Sequence, residues 1–450
     1  MVPSVRASGM IASWSMRTRL ERYFEFERLG ASWRTEILAG LTTFVTMAYI
    51  VFVNPSILQE TGMPYPSVVA ATCISAAIGS ILMGAMARYP IALAPGMGLN
   101  AYFTYSVVKG MGVAWQTALG AVFLSGAIFF VLTAVGLRRM IVEAIPRELY
   151  AAVAVGIGLF IALVGLRNAG IVAPSPATMV TLGNLRDPHT VLAVFGLLLI
   201  AALMARGVRG AMLLGILATT AAGALFGLAK IDFHGFSLPS LGGTAFQLDV
   251  AGALRLPLAE IVFAFLFIDL FDNLGTLLAV GKQARLFNEA NEIPRLNRIL
   301  YSDATATMAG AVAGTSTVVS YIESAAGVAA GGRTGIPAIV SGVCFLVALF
   351  VAPALGAIPP AATAPALIVV GSLMAAHAGE IRWQDPAAGI PAFLTLTAIP
   401  LTFSIANGLA FGFTAFTLVR LLQGRWREVN WLVYLLTALF ILRFAYLKNG

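Results

Sequence analysis

The sequence predicts an all-α polytopic membrane protein, and two properties of the chain support this prediction. Of its 450 residues, 59% are hydrophobic and 11% are charged, which leaves too little polar surface to cover a water-soluble globule of this length. Apolar runs of roughly 20 residues, long enough to cross a bilayer as helices, recur from residue 37 almost to the C-terminus. The runs are continuous and do not alternate, so a transmembrane β-barrel is excluded.

About fourteen transmembrane helices are predicted, and they leave no room for a sizeable soluble domain. Residues 1–35 precede them as a cytoplasmic N-terminal segment that lacks the apolar core of a signal peptide. A last apolar run, residues 431–446, is expected to lie along the membrane surface, although its length also allows it to cross. The predicted spans lie at about 37–56, 67–87, 90–108, 113–136, 148–167, 189–205, 210–229, 257–280, 297–313, 315–331, 335–353, 358–377, 388–403 and 405–423.

The net charge of +8 follows membrane topology and does not indicate a nucleic-acid partner. Basic residues gather in the N-terminal segment and then mostly in every second loop, as the positive-inside rule requires when the N-terminus is cytoplasmic. Cys73 and Cys344 both lie inside apolar runs, and the three histidines share no ligand spacing. We therefore expect no disulfide, no metal site and no other cofactor.

A faint internal repeat divides the spans into two halves of seven. The tripeptide Ala-Ile-Pro opens the fifth span at residues 144–146 and the twelfth span at residues 357–359. The third and tenth spans are both short, rich in Gly or Pro, and polar near the middle. Because seven is an odd number, the two halves are inverted relative to one another in the membrane. Paired interrupted helices of this kind indicate a binding site near the midplane.

Two acidic residues, Asp269 and Asp272, lie in the middle of the eighth span with no Lys or Arg near them. Phe265, Asp269, Asp272 and Thr276 are spaced by four, three and four residues, which places them on one helical face. A carboxylate at bilayer depth costs roughly 2.5 to 3.5 kcal/mol, so a functional role is favoured. The alternative is a structural carboxylate that caps a neighbouring broken helix.

Glu323 lies in the tenth span, after a run of hydroxyl and β-branched residues at 315–320. Such residues favour a short extended segment, and the half-helix after it would point its N-terminus at a ligand. Non-helical backbone at that depth is tolerated only around a protein-lined cavity. The alternative role for Glu323 is a helix cap.

The third span mirrors this arrangement with a second extended segment. Pro95, Gly96 and Gly98 break its helix, and Asn100 follows with amide donors and an acceptor that suit a heterocycle. Asn100 has the alternative role of capping the second half-helix. In the ninth span, Asp303 is expected to hold the interrupted tenth span through backbone hydrogen bonds, and its alternative is a direct substrate or proton role.

Four motifs in order resemble those of the AzgA-type purine permeases, the adenine/guanine/hypoxanthine branch of the nucleobase:cation symporter-2 family. The motifs are residues 34–44, residues 94–103, Asp269 to Asp272, and residues 314–335, and the likeness covers nearly the whole chain from Arg22 onward. The resemblance implies a uracil-permease-like fold of two inverted seven-helix repeats. It also implies proton-coupled, elevator-type transport of purine bases across the cell membrane, and it allows a homodimer through the gate domain.

The resemblance further implies a division into two domains and a site between the third, eighth and tenth spans. The core domain would comprise residues 36–136 (spans 1–4) and 257–355 (spans 8–11). The gate domain would comprise residues 137–256 (spans 5–7) and 356–450 (spans 12–14 and the C-terminal segment). We expect substrate contacts from Asn100, Phe265, Asp269, Tyr321 and Glu323, proton coupling through Asp269, Asp272 and Glu323, and support from Thr276, Asp303 and Ser320.

Two other functions compete with this one. A carrier of a small anion or of another nucleobase would use the same scaffold, but an anion site is expected to use half-helix N-termini with a basic residue and not three acids. An intramembrane enzyme such as a prenyltransferase would use Asp269 and Asp272 to hold Mg²⁺ and a diphosphate. That chemistry requires a second Asp-rich motif with basic residues nearby, which the sequence lacks.

Overall fold

A computed structural model of the chain describes residues 18–136, 145–229, 239–255, 258–284, 286, 293–352 and 358–446, and these are mostly helical. The elements up to residue 255 are α1 (Phe26–Leu29), α2 (Trp33–Met47), α3 (Ile50–Leu58), α4 (Tyr65–Leu82), β1 (Leu93–Pro95), α5 (Met97–Ala101), α6 (Trp115–Ala134), α7 (Arg147–Asn168), β2 (Val172–Ser175), β3 (Met179–Leu182), α8 (Pro188–Ala205), α9 (Ala211–Leu225) and α10 (Val250–Ala253). The later elements are α11 (Ala259–Gln283), α12 (Leu296–Ala313), β4 (Val318–Ser320), α13 (Ser324–Ala329), α14 (Ile336–Val351), α15 (Pro360–Ala375), α16 (Pro386–Thr402), α17 (Ile405–Leu422) and α18 (Trp431–Tyr446). Two π-helical stretches, Met83–Ala87 and Tyr102–Gly110, continue α4 and α5.

Seven helical segments of the described chain are long and apolar enough to cross a membrane, and four shorter apolar helices accompany them. The seven are Trp33–Thr61, Tyr65–Ala87, Trp115–Ala134, Arg147–Asn168, Pro188–Ala205, Pro360–Glu380 and Ile405–Leu422. The membrane assignment is therefore confirmed, whereas the count of fourteen in two inverted repeats stays a prediction.

Several helices begin where the sequence offers a side-chain cap. Ser32, Asp187, Asp385 and Ser404 precede α2, α8, α16 and α17, and each side chain accepts a hydrogen bond from a backbone N–H of the first turn. These caps satisfy amide groups that the helix itself leaves without partners.

The helices pack mainly within two groups. In one group α14 packs on α2 and α4, and α12 packs on α4 and α6; in the other, α7 packs on α15 and α16, and α8 packs on α9 and α15. The two helices that Ala-Ile-Pro opens, α7 and α15, are thus direct neighbours. A Cβ atom added at Gly158 would lie 2.8 Å from the carbonyl oxygen of Gly371, so small residues allow this close approach. The division into core and gate domains stays a prediction.

Both extended segments expected in the interrupted spans are present, and they pair with each other. Strands β1 and β4 are antiparallel, with Ala94 opposite Val319. The Gly96 N–H donates to the Thr317 carbonyl (2.9 Å), and the Tyr321 N–H donates to the Ala92 carbonyl (3.0 Å), which lengthens the ladder at both ends. Two broken helices therefore cross inside the helical bundle.

Buried side chains satisfy the backbone groups that this short ladder leaves open. Ser80 Oγ bonds both the N–H (2.9 Å) and the carbonyl (3.0 Å) of Leu93. On the other strand, Asn273 Oδ1 accepts the Ser320 N–H (2.8 Å), and Thr307 Oγ1 donates to the Val318 carbonyl (3.0 Å). Such partners are needed because lipid offers no hydrogen bonds to non-helical backbone.

Candidate functional site

A cavity of about 140 Å³ lies where the two broken helices and α11 meet α7 and the end of α15. Its lining residues are Tyr49, Gly96, Met97, Gly98, Tyr150, Ala154, Ile157, Ile268, Asp272, Gly275, Thr276, residues 319–323, Val370, Leu373, Met374 and His377. The sequence predicted five of these as site or supporting residues, and they are Asp272, Thr276, Ser320, Tyr321 and Glu323.

Asp272 and Glu323 face this cavity from different elements. Asp272 lies on α11, and no described side chain is hydrogen-bonded to its carboxyl group. Glu323 directly precedes α13, and Tyr49 Oη donates a 2.7 Å hydrogen bond to its Oε1 atom. Glu323 occupies the N-cap position of α13, as the alternative role had it, but its side chain makes no capping hydrogen bond there. Both carboxyl groups are therefore placed for contact with a ligand.

Hydroxyl groups complete the polar wall of the cavity on the β4 side. Ser320 is 3% exposed, and its Oγ atom has no hydrogen-bond partner among the described residues. Tyr321 instead uses its hydroxyl to donate to the Pro95 carbonyl (2.6 Å), which ties β4 to β1. Ser320 thus has an unused donor and acceptor at the cavity, whereas Tyr321 offers mainly its ring.

Asp269 lies away from the cavity lining, in a buried network with Asn273 and Asp303. Asn273 Nδ2 donates to Asp269 Oδ1 (2.8 Å) and to Asp303 Oδ2 (2.7 Å). The same amide accepts the backbone N–H of Ser320, so it connects α11, α12 and β4. Asp303 was expected to hold the tenth span through backbone hydrogen bonds, whereas the contact seen here is with the Asn273 side chain, which in turn bonds the Ser320 backbone.

Asn100 and Phe265 are also buried outside the cavity lining. Asn100 is fully buried inside α5, where its Oδ1 accepts a hydrogen bond from Ser316, and Gly96 occupies the N-cap position instead. Its Nδ2 atom has no hydrogen-bond partner among the described residues. Phe265 packs edge-to-face on Tyr102, with 5.2 Å between ring centroids. Both residues support the broken helices from behind the site.

Seven lining residues of α7, α15 and the turn after α15 were not predicted from the sequence. They are Tyr150, Ala154, Ile157, Val370, Leu373, Met374 and His377. A Cβ atom added at Gly98 would lie 2.5 Å from Ile157 Cγ2, and one added at Gly275 would lie 2.9 Å from Tyr150 Oη. Gly98 thus lets α7 approach the broken third span closely, and Gly275 lets it approach α11. The one signal in the sequence was the Ala-Ile-Pro repeat that opens both helices.

Carboxyl groups line the cavity, but Lys and Arg side chains do not. No Lys or Arg is among its lining residues, although two carboxyl groups are. Within the described part of the chain, no group of three His, Cys, Asp or Glu residues could hold a metal ion. The arrangement suits a ligand that donates hydrogen bonds, because carboxylates are acceptors only.

Comparison with known proteins identifies the family. The profile of the Permease family (Xan_ur_permease) matches residues 34–430. The chain is 45% identical to the guanine/hypoxanthine permease PbuG of Bacillus subtilis (strain 168) over 441 residues, which cover 95% of this chain and 100% of that protein. It is 43% identical to the adenine permease AdeQ of Escherichia coli (strain K12) over 426 residues, which cover 94% of this chain and 96% of that protein.

A solved structure shares the fold at much lower sequence identity. The transmembrane domain of a cyanobacterium bicarbonate transporter, BicA, aligns with a TM-score of 0.65 at 16% identity, covering 83% of this chain and 97% of that one. This likeness concerns the fold alone. Because the family profile spans most of the chain and the fold is that of membrane transporters, the protein belongs to the Xan_ur_permease family and is an integral membrane transporter, not an enzyme.

Proposed function

We propose that the protein carries purine nucleobases, such as adenine, guanine and hypoxanthine, into the cell together with protons. The observation that carries this proposal is that Asp272 and Glu323 face one cavity that has no Lys or Arg among its lining residues. The relatives named as adenine and guanine/hypoxanthine permeases support the choice of purines.

The lining chemistry suits a flat, neutral heterocycle. Ring and exocyclic N–H groups of a purine would donate to the carboxyl oxygens of Asp272 and Glu323, and the Ser320 hydroxyl would bond a ring acceptor. Met97, Ile157 and other apolar lining residues would cover the ring faces, as in most small-molecule sites. A small anion is disfavoured because two carboxylates repel it and no Lys or Arg of the lining compensates.

Proton coupling would supply the energy for accumulation. A neutral purine gains nothing from the membrane potential, whereas one co-transported proton supplies about 2.3 kcal/mol per 100 mV, enough for roughly fiftyfold accumulation. We assign the proton to Asp272, which has no hydrogen-bond partner among the described residues. We assign binding of the base to Asp272 and Glu323 together. Asp269 would act indirectly, because Asn273 connects it to the β4 backbone.

Alternating access would come from an elevator-type movement of the core domain (36–136 and 257–355) against the gate domain (137–256 and 356–450). The cavity is lined by residues near the start of α7 and by residues at and just after the end of α15. At the opposite end, Asn168 Nδ2 of α7 bonds Glu60 Oε1 (3.4 Å) and Tyr105 Oη (3.3 Å), and Ser106 donates to the Phe403 carbonyl. These hydrogen bonds connect the proposed core and gate domains at the end of α7 that lies away from the cavity. The homodimer through the gate domain stays a prediction.

Uptake by cells that lack their own purine permeases tests the proposal. Radiolabelled adenine, guanine, hypoxanthine and uracil are supplied in turn, with and without a protonophore. We expect accumulation of at least one purine, no accumulation of uracil, and loss of accumulation when the protonophore is added. Purine accumulation that the protonophore leaves unchanged would contradict proton coupling, and accumulation of none of the purines would contradict the substrate class.

A further inference from the structure

His377 lines the cavity, yet the proposed mechanism leaves it without a role. It lies in the 3₁₀ turn Ala376–Glu380 that follows α15, on the gate side of the cavity, while Asp272 lies on the core side. Imidazole is the side-chain group best suited to take up and release protons near neutral pH. Among the described lining residues, the other ionisable side chains are the two acids and three tyrosines.

His377 is hydrogen-bonded to Glu380, whose side chain is the more exposed of the two. Its Nδ1 atom lies 2.8 Å from Glu380 Oε1, and the two side chains are 27% and 59% exposed, respectively. When Nδ1–H donates to this carboxylate, Nε2 keeps a lone pair that can accept a proton. The pair therefore leads stepwise from the cavity to the solvent.

Among the described residues, Glu380 forms an ion pair with His377 and with no other charged group. Arg382 pairs with Glu148 on the first turn of α7, and Arg147 and Tyr150 are the other ionisable groups on the neighbouring turns of that helix. Across the cavity, Asp272 and Glu323 face the turn from the core.

We propose that His377 takes the coupling proton from Asp272 and delivers it through Glu380 to water, a role that rests on the proposed proton-coupled function. The O–H bond of protonated Asp272 breaks as His377 Nε2 gains the proton, directly or through one water molecule. The Nδ1–H proton passes to the Glu380 carboxylate, which then releases it to the solvent. His377 ends neutral with its proton on Nε2, and proton exchange with water restores the Nδ1–H form before the next cycle, while Asp272 is left as a carboxylate.

This placement gives the relay a direction. Asp272 belongs to the part of the molecule proposed to move, and His377 belongs to the part proposed to stay in place. Transfer therefore requires the core to bring Asp272 to the gate, so the proton is released on one side of the membrane only. His377 is a relay between core and solvent and need not bind the base.

Reconstituted full-length protein in proteoliposomes tests the relay with His377→Gln and Glu380→Gln. His189→Gln, at the exposed start of α8, is the matched control. Two rates are measured with the radiolabelled purine that the wild type accumulates: uptake driven by a pH gradient, and counterflow at equal pH, which requires no net proton movement. For His377→Gln we expect gradient-driven uptake to fall about tenfold and counterflow to stay within about twofold of wild type.

Glu380→Gln should show a smaller loss of the same kind, and His189→Gln should behave as wild type. Equal losses of uptake and counterflow in His377→Gln, with an unchanged melting temperature, would make His377 a base-binding residue and overturn the relay. Unchanged rates in both assays would overturn it as well, because His377 would then only end the helix. If the wild type moves no protons with the purine, the proposed coupling itself fails, a result that does not depend on either variant.

Discussion

Asp269 and Asp272 are three residues apart on α11, yet their surroundings differ. Asp269 is 1% exposed and bonded by Asn273, whereas Asp272 lines the cavity. A step of three residues turns a helix by about 300°, so two such side chains point some 60° apart. That difference separates a positioning carboxylate from one that a ligand can reach.

Asp269→Asn should therefore destabilise the protein more than Asp272→Asn. The substitution replaces the carboxylate that accepts the Asn273 hydrogen bond with an uncharged amide. We expect a loss of about 1–3 kcal/mol in the free energy of unfolding. Asp272→Asn removes a carboxyl group without a described partner, and its melting temperature should stay equal or rise. Thermal unfolding of both variants in the same detergent measures the difference, and a larger loss for Asp272→Asn would contradict these assignments.

The sequence predicted five of the cavity-lining residues, Asp272 and Glu323 among them, but not the division of roles among the acids. Helical spacing fixes the angle between Asp269 and Asp272 about the axis, but not which neighbour each one meets. Asn273 decides this, because its single amide bonds two acids and a strand at once. Such a contact depends on α12 and β4, which are distant in sequence.

At the scale of elements, close approach through glycine connects α7 to the broken helices. A Cβ atom at Gly98 would meet Ile157 Cγ2 at 2.5 Å, a distance that real Cβ contacts do not reach. The extended segments beside this contact were predicted because Pro, Gly and β-branched residues disfavour helix. Their pairing register was not, since it depends on two segments more than 200 residues apart.

Gly98→Ala should slow transport, because the added methyl group overpacks the contact with α7. A cost of 1–3 kcal/mol is usual for overpacking, and uptake should fall about tenfold. Ile157→Ala removes the opposing methyl group, so the double variant should recover part of the loss. Initial uptake rates of the four proteins form the cycle, and additive effects of the two substitutions would refute a direct contact.

The short helix α1 is held against the core by an ion cluster that pH should weaken. Glu25 lies 3.2 Å from both Arg88 and Arg295 and also pairs with Arg28. Partial burial opposes ionisation of Glu25, but the three guanidinium groups outweigh it and hold the pKa of this carboxyl below its usual 4.5. Its contribution to docking is therefore complete above pH 4.5 and is lost as the pH falls through the lower folded value.

Hydrogen exchange of residues 18–31, corrected for the intrinsic pH dependence, should rise in the wild type as the pH falls below 4.5. Glu25→Gln should show the raised exchange already at neutral pH, with little further change on acidification. Equal protection of both proteins at neutral pH would show that the cluster does not hold the segment.

In the molecule as a whole, the cavity lies near the start of α7, and hydrogen bonds connect the other end of this helix to neighbouring elements. Asn168 connects the α7 end to Glu60 and Tyr105, while His377 lies at the opposite end. The sequence was sufficient to identify a membrane protein, because a chain with so few polar residues cannot cover the surface of a water-soluble globule. It could not identify Tyr150 or His377, because an aromatic residue or a histidine near a helix end is common and its relation to the cavity comes only from packing.

Asn168→Ala should weaken closure at that end and shift the protein toward the state open there. Loss of two hydrogen bonds at about 0.5–1.5 kcal/mol each changes the ratio of states by roughly tenfold. Hydrogen exchange of Tyr102–Gly110 should increase, whereas Asn184→Ala, in an exposed loop, should leave it unchanged. Unaltered exchange in Asn168→Ala would mean that these bonds do not hold the two parts together.

Asp272 and Glu323 together are proposed to hold a purine base. Equilibrium binding of the base to the purified protein measures this directly. Radiolabelled adenine, guanine or hypoxanthine is titrated onto the wild type, Asp272→Asn and Glu323→Gln. A hydrogen bond to a charged group contributes about 1.5–3 kcal/mol, so each variant should bind at least about tenfold more weakly than wild type. Wild-type affinity in both variants would show that neither carboxyl group binds the purine.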